Sequence, residues 1–216
     1  MSLSWDPVLA LAPAPLYATR LKRLLDLCIA LALLPLALPL VALAAACIAA
    51  GGGAPFYGHV RIGRGGRAFR CWKLRTMRVD GDAILARHLA ADPAARAEWQ
   101  STRKLRHDPR VTPLGHLFRV TSIDELPQLL NVLRGEMSLV GPRPVTGAEL
   151  ARYGRDAEAY LALLPGITGA WQVAGRNALT LTQRIAHDAD YARRISFRTD
   201  LAILVRTGRA VLGGGG

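Results

Sequence analysis

The chain has 216 residues, 51% of them hydrophobic, and carries 28 Lys and Arg against 16 Asp and Glu, a formal net charge of +12 at pH 7. That length supports one domain with a real core, and so large a basic excess points to phosphate-bearing partners: anionic lipid headgroups, nucleotides or nucleic acid. Cys28, Cys47 and Cys71 exclude a disulfide framework and fit reduced thiols facing a cytoplasm, while the five histidines lack metal-ligand spacing.

Residues 1–19 are Ala/Pro-rich and predict a flexible N-terminal segment. Residues 20–53 then read as a membrane unit. Arg20, Lys22 and Arg23 precede an uncharged run from Leu27 to Ala50, long enough as a helix to cross about 30 Å of hydrocarbon. Small residues near Ala44 to Ala50 resemble a signal-peptide cleavage region, but the run exceeds a typical h-region. A straight transmembrane helix is the default for such length. A third account is a helix that enters the bilayer, bends and returns. Pro35 and Pro39 lie mid-run, where each removes a helix hydrogen bond and favours a kink. Basic residues also flank both ends, with Arg61, Arg64, Arg67 and Arg70 following the run. The positive-inside bias draws both ends to the cytoplasmic side, which a re-entrant bend satisfies and a straight span does not.

Gly51 to Gly53 and Pro55 break the helix and open a unit over residues 54–212. Arg67 to Met77 (RAFRCWKLRTM) reads as a strand or hairpin, whose Lys73 and Arg75 lie against lipid headgroups or on a solvated face. Asp82 to Arg106 is Ala-rich and helical in character, and Arg106 to Gly115 is a turn-rich connector. The segment Arg119 to Pro144 (RVTSIDELPQLLNVLRGEMSLVGPRP) holds two adjacent carboxylates, Asp124 and Glu125. Ser122 followed by Glu125 is a capping-box signature with Ser122 as N-cap. Leu126, Leu129, Leu130 and Leu133 then recur at helical spacing, and Gly135 is a natural stop. Capping and dipole complementation alone account for an acidic pair in a first turn. The company of Arg119, Arg143 and an upstream membrane segment makes phosphate chemistry a candidate instead.

Thr146 to Leu163 predicts a short helical stretch. Pro165 to Asn177 (PGITGAWQVAGRN) reads as a loop able to bring backbone close to a ligand, with Arg176 a candidate phosphate contact, or as a structural turn with Trp171 packed inside. Leu201 to Leu212, with Arg206 and Arg209, predicts an interfacial or a docked helix, and residues 213–216 a flexible tail. The expected fold class is α+β, mostly helical with a small β hairpin or sheet, an N-terminal proline-bent re-entrant membrane helix and interfacial amphipathic helices.

Six motifs in order carry a resemblance: Lys22-Arg23-x-x-Asp26 before the apolar run, KLRTM at 73–77, SIDELPQ at 122–128, NVLRGEMS at 131–138, VGPRP at 140–144 and PGITG at 165–169. Together they resemble the bacterial sugar transferase family, the monotopic polyprenyl-phosphate phosphoglycosyl transferases, in its minimal catalytic form. The resemblance covers roughly residues 20 to 212. It implies transfer of a sugar 1-phosphate from a UDP-sugar to polyprenyl (undecaprenyl) phosphate with UMP release, initiating exopolysaccharide, O-antigen or glycoconjugate assembly on the cytoplasmic face of the bacterial inner membrane. By the same resemblance Asp124 is the nucleophile and Glu125 its partner at a Mg²⁺ site. Arg119 and Arg143 match positions associated with substrate phosphate, and Pro39, helped by Pro35, matches the membrane bend. Leu38 stands where the family often has Ser. Anionic lipids are expected partners and a homo-oligomer is open.

The chemistry suits the residue types. A nucleotide diphosphate repels an attacking carboxylate, so a divalent cation and planar arginine forks are needed to neutralise its oxygens. Two other classes compete. A membrane-tethered nucleic-acid-binding protein explains the charge but not the Asp-Glu pair, and no nucleic-acid motif is present. A membrane-anchored scaffold, an inactive relative, has no use for Asp124, Glu125, Arg119 and Arg143 together.

Overall fold

The computed structural model describes residues 17–102, 105–175 and 179–213. Arg176 and the tail from 214 lie outside them, as do residues 1–16. The fold is α+β and mostly helical. Tyr17–Leu21 is a turn of π-helix that runs directly into α1, Lys22–Ala50. Strands β1, Phe56–Ile62, and β2, Ala68–Leu74, pair antiparallel with Phe56 opposite Leu74 and Ile62 opposite Ala68, so the expected hairpin is present. Then come α2, Gly81–Ala91, and α3, Pro93–Thr102. Asp92 divides them, because its Oδ1 accepts from Ala94 N and Ala95 N and so caps α3. Helix α4 is Pro113–Thr121 and α5 is Gln128–Leu133.

Helix α1 is the one described element long and apolar enough to cross a membrane by length and composition. It is unbroken at Pro35 and Pro39. Its buried residues Lys22, Asp26, Ala30, Ala37 and Ala44 form one ridge of mostly small side chains, while Leu24, Leu31, Leu36, Leu38 and Leu43 are exposed. Small residues let the folded unit approach the helix closely, and spacings of four and seven keep them on one face. Both ends of α1 touch the same folded unit. At the start, Lys22 Nζ lies 2.6 Å from Asp200 Oδ2, and Asp26 Oδ1 accepts from Leu139 N at 3.0 Å. Towards the end, Ala44 packs with Leu74 and Phe118, with Ile48 and Ile123 at the edge of that cluster.

The chain continues with β3, Ser138–Val140; α6, Gly147–Leu150; α7, Ala157–Leu161; β4, Gly166–Thr168; α8, Ala170–Ala174; α9, Leu181–Arg194; and α10, Phe197–Leu212. The single helix expected from Thr146 to Leu163 is thus broken into α6, a 3₁₀ turn at Gly154–Asp156 and α7. Gly154 takes φ +54° at the break, a value that favours glycine and interrupts a helix.

The stretch from Pro165 is a correction as well. It is not an open loop but strand β4, parallel to β3, followed by α8. Its glycines bring backbone close to backbone. A Cβ on Gly166 would lie 2.1 Å from Gly141 N, and one on Gly141 would lie 2.4 Å from Leu164 O. Trp171 is packed inside, 4% exposed.

Candidate active site

The acidic pair sits on a different local structure from the one expected. Ser122 is not an N-cap: it adopts φ 58°, ψ 17° as the left-handed C-cap of α4, and its side chain makes no capping bond. Ile123–Glu125 is a 3₁₀ turn held by Glu125 N→Ser122 O and Leu126 N→Ile123 O. The turn places the two carboxylates differently. Asp124 is 8% exposed, whereas Glu125 is about one-third exposed and ion-paired to Lys73 Nζ from the end of β2.

Lys73 thus pairs with the acidic turn while its side chain stays partly exposed. Asp124 has no ion pair and no side-chain hydrogen bond among the described residues. Burial pushes its carboxyl up to about 6. The charges of Lys73 and Arg119 pull it down, and Glu125 pushes it up.

Arg119 reaches this turn because α4 lies against the chain leaving β2. A Cβ on Gly115 would lie 2.0 Å from Thr76 O, so only glycine permits that approach. Thr112 N→Thr76 O at 3.1 Å and Thr112 Oγ1, which accepts from Gly115 N, fix the start of α4. Arg119 Nε then donates to Thr76 Oγ1 at 2.9 Å. Thr76 and Lys73 are site residues that local sequence reasoning missed, although both stand in the KLRTM motif.

Arg143 belongs to a second cluster. Its guanidinium lies 5.5 Å from the centre of the Trp171 ring, and that of Arg184 lies 4.6 Å from the same ring. Arg61 from β1 approaches Glu149 at 3.8 Å. Burial and the neighbouring Arg143 charge both push the Arg61 and Arg184 guanidiniums down; Glu149 opposes this, and Tyr153, Tyr160 and Cys71 also contribute. Trp171 Nε1 is a buried donor with no acceptor among the described residues. Asp188 beneath the cluster is pushed up to about 7 by burial, against Tyr153 OH, which donates to its Oδ2, and the Arg143 backbone and charge.

Arg143 does not touch Asp124 or Glu125. The two clusters meet at buried Cys71, two residues before Lys73 on β2. Burial raises its thiol, and Lys73, Glu125, Arg61 and Arg143 all act on it. Nothing in the local pattern announces Arg61 or Arg184, which arrive from β1 and α9.

Carboxylates Asp124 and Glu125 and the hydroxyl of Thr76 are hard oxygen donors, and the described residues hold no group of three or more His, Cys, Asp or Glu suited to a metal. That donor set fits a cation that keeps several waters, and the unpaired Asp124 carboxyl leaves room for a positive charge.

A family model described as bacterial sugar transferase matches residues 17–214. The chain belongs to that family. It is 50% identical over 192 residues to a UDP-galactose-lipid carrier transferase of Erwinia amylovora, and 45% identical over 192 residues to an undecaprenyl-phosphate galactose phosphotransferase of Salmonella typhimurium. Each of these alignments covers 89% of this chain and 40% of the relative, so the chain spans well under half the length of those proteins. It is also 48% identical to the exopolysaccharide production protein ExoY of Sinorhizobium fredii, covering 88% of this chain and 84% of that one.

Proposed function

We propose that this sugar transferase moves a sugar 1-phosphate from a UDP-sugar to undecaprenyl phosphate, beginning an exopolysaccharide or related glycan, with Asp124 as nucleophile. The observation that carries this reading is the Asp124 carboxyl: buried, unpaired, and set between Lys73 and Arg119. Among the described residues its carboxyl meets only its own backbone N–H and no partner from another residue. The printed names of the Erwinia and Salmonella relatives, which mention UDP-galactose, a lipid carrier and undecaprenyl phosphate, support the substrate classes.

An Asp124 oxygen attacks the sugar-bearing phosphorus, the P–O bond to the other phosphorus breaks, and UMP leaves with that electron pair. The product is an aspartyl-phosphosugar. A phosphate oxygen of undecaprenyl phosphate then attacks the same phosphorus, breaking the acyl-phosphate bond and returning the Asp124 carboxylate. Lys73 and Arg119 lower the pKa of Asp124, so more of it is ionised near neutral pH. Arg143, Arg184 and Arg61 offer guanidinium donors for pyrophosphate oxygens. Glu125, beside Asp124 in the turn, is the residue that would hold Mg²⁺, which when bound would supply charge neutralisation at phosphate oxygens.

The reading also places α1 in the cytoplasmic leaflet of the inner membrane as a re-entrant helix, monotopic and bent at Pro39 with Pro35. In support, both ends of α1 pack on one folded unit, and the exposed leucines face away from it. Thiol labelling of Arg20→Cys and Arg67→Cys in intact cells, with native cysteines removed, should find both sites cytoplasmic; periplasmic access at either rejects the topology.

The mechanism is tested by giving purified protein UDP-galactose or UDP-glucose and Mg²⁺ without lipid acceptor. About one equivalent of UMP or less should appear, and the peptide carrying Asp124 should gain a hexose-phosphate mass. An adduct on Glu125, or none with full turnover, overturns the assignment.

A further inference from the structure

A second basic region lies at the opposite end of α1 from the carboxylate turn. The turn packs beside Ala44 through Ile123, whereas this region surrounds Arg23, about twenty residues earlier on the helix. A cavity of about 450 Å³ is lined by Arg64, Arg67 and Arg134 together with Phe69 and Leu164. It adjoins a smaller one of about 210 Å³, with Arg64, Gly135 and Leu164 common to both, which Lys22, Arg23 and Asp26 also line. The larger volume falls in the range of small-ligand sites.

The charges are unequal. Glu136 is the acidic residue of the larger cavity, and its Oε2 already accepts from Asn131 Nδ2 at 2.6 Å. Lys22 is engaged by Asp200, and Asp26 by Leu139 N. Arg64, Arg67 and Arg134 make no ion pair or side-chain hydrogen bond among the described residues. Arg23 Nη2 donates to Leu133 O at 3.2 Å, but its Nη1 is buried without a partner among the described residues. A buried donor on a charged group is costly unless an acceptor meets it. Nothing in the transfer chemistry uses these residues, which belong to neither the carboxylate turn nor the Trp171 cluster.

We infer that this groove is a second anion site, which takes a phosphate group between Arg64, Arg67, Arg134 and Arg23. Four guanidiniums suit phosphate oxygens, and the apolar floor of Phe69 and Leu164 suits the carbon attached to a phosphate ester. The groove adjoins the start of the apolar helix, so the phosphate comes from an anionic lipid headgroup or from a soluble phosphate.

Backbone hydrogen exchange on the full chain in nanodiscs separates the sources. Three preparations are compared: phosphatidylcholine alone, phosphatidylcholine doped with phosphatidylglycerol, and phosphatidylcholine with added inorganic phosphate. Exchange at 63–69 and 134–136 should slow in the doped discs if the source is lipid, and also with inorganic phosphate if free phosphate suffices. The triple variant Arg64→Ala, Arg67→Ala, Arg134→Ala removes exposed side chains only. It should lose the protection, with affinity falling about fivefold per arginine, the usual worth of a basic residue at an anionic surface. Asp124→Asn should keep it, which separates this site from the carboxylate turn. Protection by neither probe, or protection that survives in the triple variant, overturns the inference.

Discussion

The carboxylate turn and the Trp171 cluster hold opposite kinds of electrostatic discomfort. In the first, an acid is buried without a partner and its pKa rises to about 6. In the second, Arg61, Arg143 and Arg184 crowd together, with the Arg61 and Arg184 guanidiniums pushed down by burial and by the Arg143 charge. In the proposed reaction a pyrophosphate with a divalent cation would relieve both, bringing positive charge to the turn and phosphate to the arginines. Neither region is arranged for stability alone, and strongly shifted groups gathered in one place are a mark of function.

Removing the acid should give the largest effect. If Asp124 is the nucleophile as proposed, Asp124→Asn should lower turnover by at least about a thousandfold. The same change should stabilise the fold at pH 7. A carboxyl at about 6 against an ordinary 3.8 weighs against the folded state by about 3 kcal/mol when ionised, an upper figure. The folded pKa is above the unfolded one, so this penalty grows as pH rises from about 4 to 6 and vanishes below. Thermal melts of the two proteins should therefore converge toward pH 4. An Asn variant that is both active and no more stable would dissolve the contrast between the regions.

On the arginine side, Arg143→Lys keeps charge but loses the planar fork over Trp171. Turnover should fall about tenfold or more, the scale of a lost charge-assisted bond of about 1.5–3 kcal/mol. Steady-state assays in nanodiscs decide it, and full activity would make Arg143 a packing residue.

Lys73→Gln sharpens the turn further. Lys73 lowers the Asp124 pKa and also pairs Glu125, whose charge raises it. Loss of Lys73 should move the acid limb of the pH–rate profile above the position near 6 expected for the unmodified chain, with a partial rate loss at neutral pH. A limb that stays or moves down would show that another group titrates.

The smallest effect on turnover should come from Asp188→Asn, within a few-fold. Asp188 sits under the arginines with Oδ1 unpaired and its pKa pushed to about 7. The substitution should add about 1–3 kcal/mol of stability above pH 7. That gain should disappear as pH falls towards 4, where the acid is neutral in both states. Urea unfolding at several pH values reads it. A large activity loss would place Asp188 in the chemistry and not beneath it.

Much of this was legible in the chain. The order of six motifs announces the family, and strand β2 follows from the partial alternation of 67–77, while its partner β1 at Phe56–Ile62 was not legible there. The long apolar helix follows from composition, and Asp124 with Glu125 stands out among arginines. Ser122 shows where local rules fail. Ser-x-x-Glu is a sound cap signature, but α4 runs up to Thr121 and Ser122 turns left-handed to end it, so the same serine closes one helix instead of opening the next. Gly166 and Gly169 likewise look like ligand-hugging backbone until they are seen to press against Gly141.

The sequence by itself determined which residues carry charge, where helices and strands are possible, and that a nucleophile-like acid lies among phosphate-seeking arginines. These are properties of composition and of spacings shorter than a helical turn or strand repeat. Only the tertiary structure decided that Lys73 pairs with Glu125, that Arg119 bonds Thr76, and that Arg143 and Arg184 meet over Trp171 with Arg61 near enough to feel the Arg143 charge. Those contacts join β1, β2, α4 and α9 across 43 residues in the case of Arg119 and Thr76. The burial that lifts Asp124 is likewise a property of the assembled core, because desolvation depends on what the whole chain excludes from water and not on the neighbours in sequence.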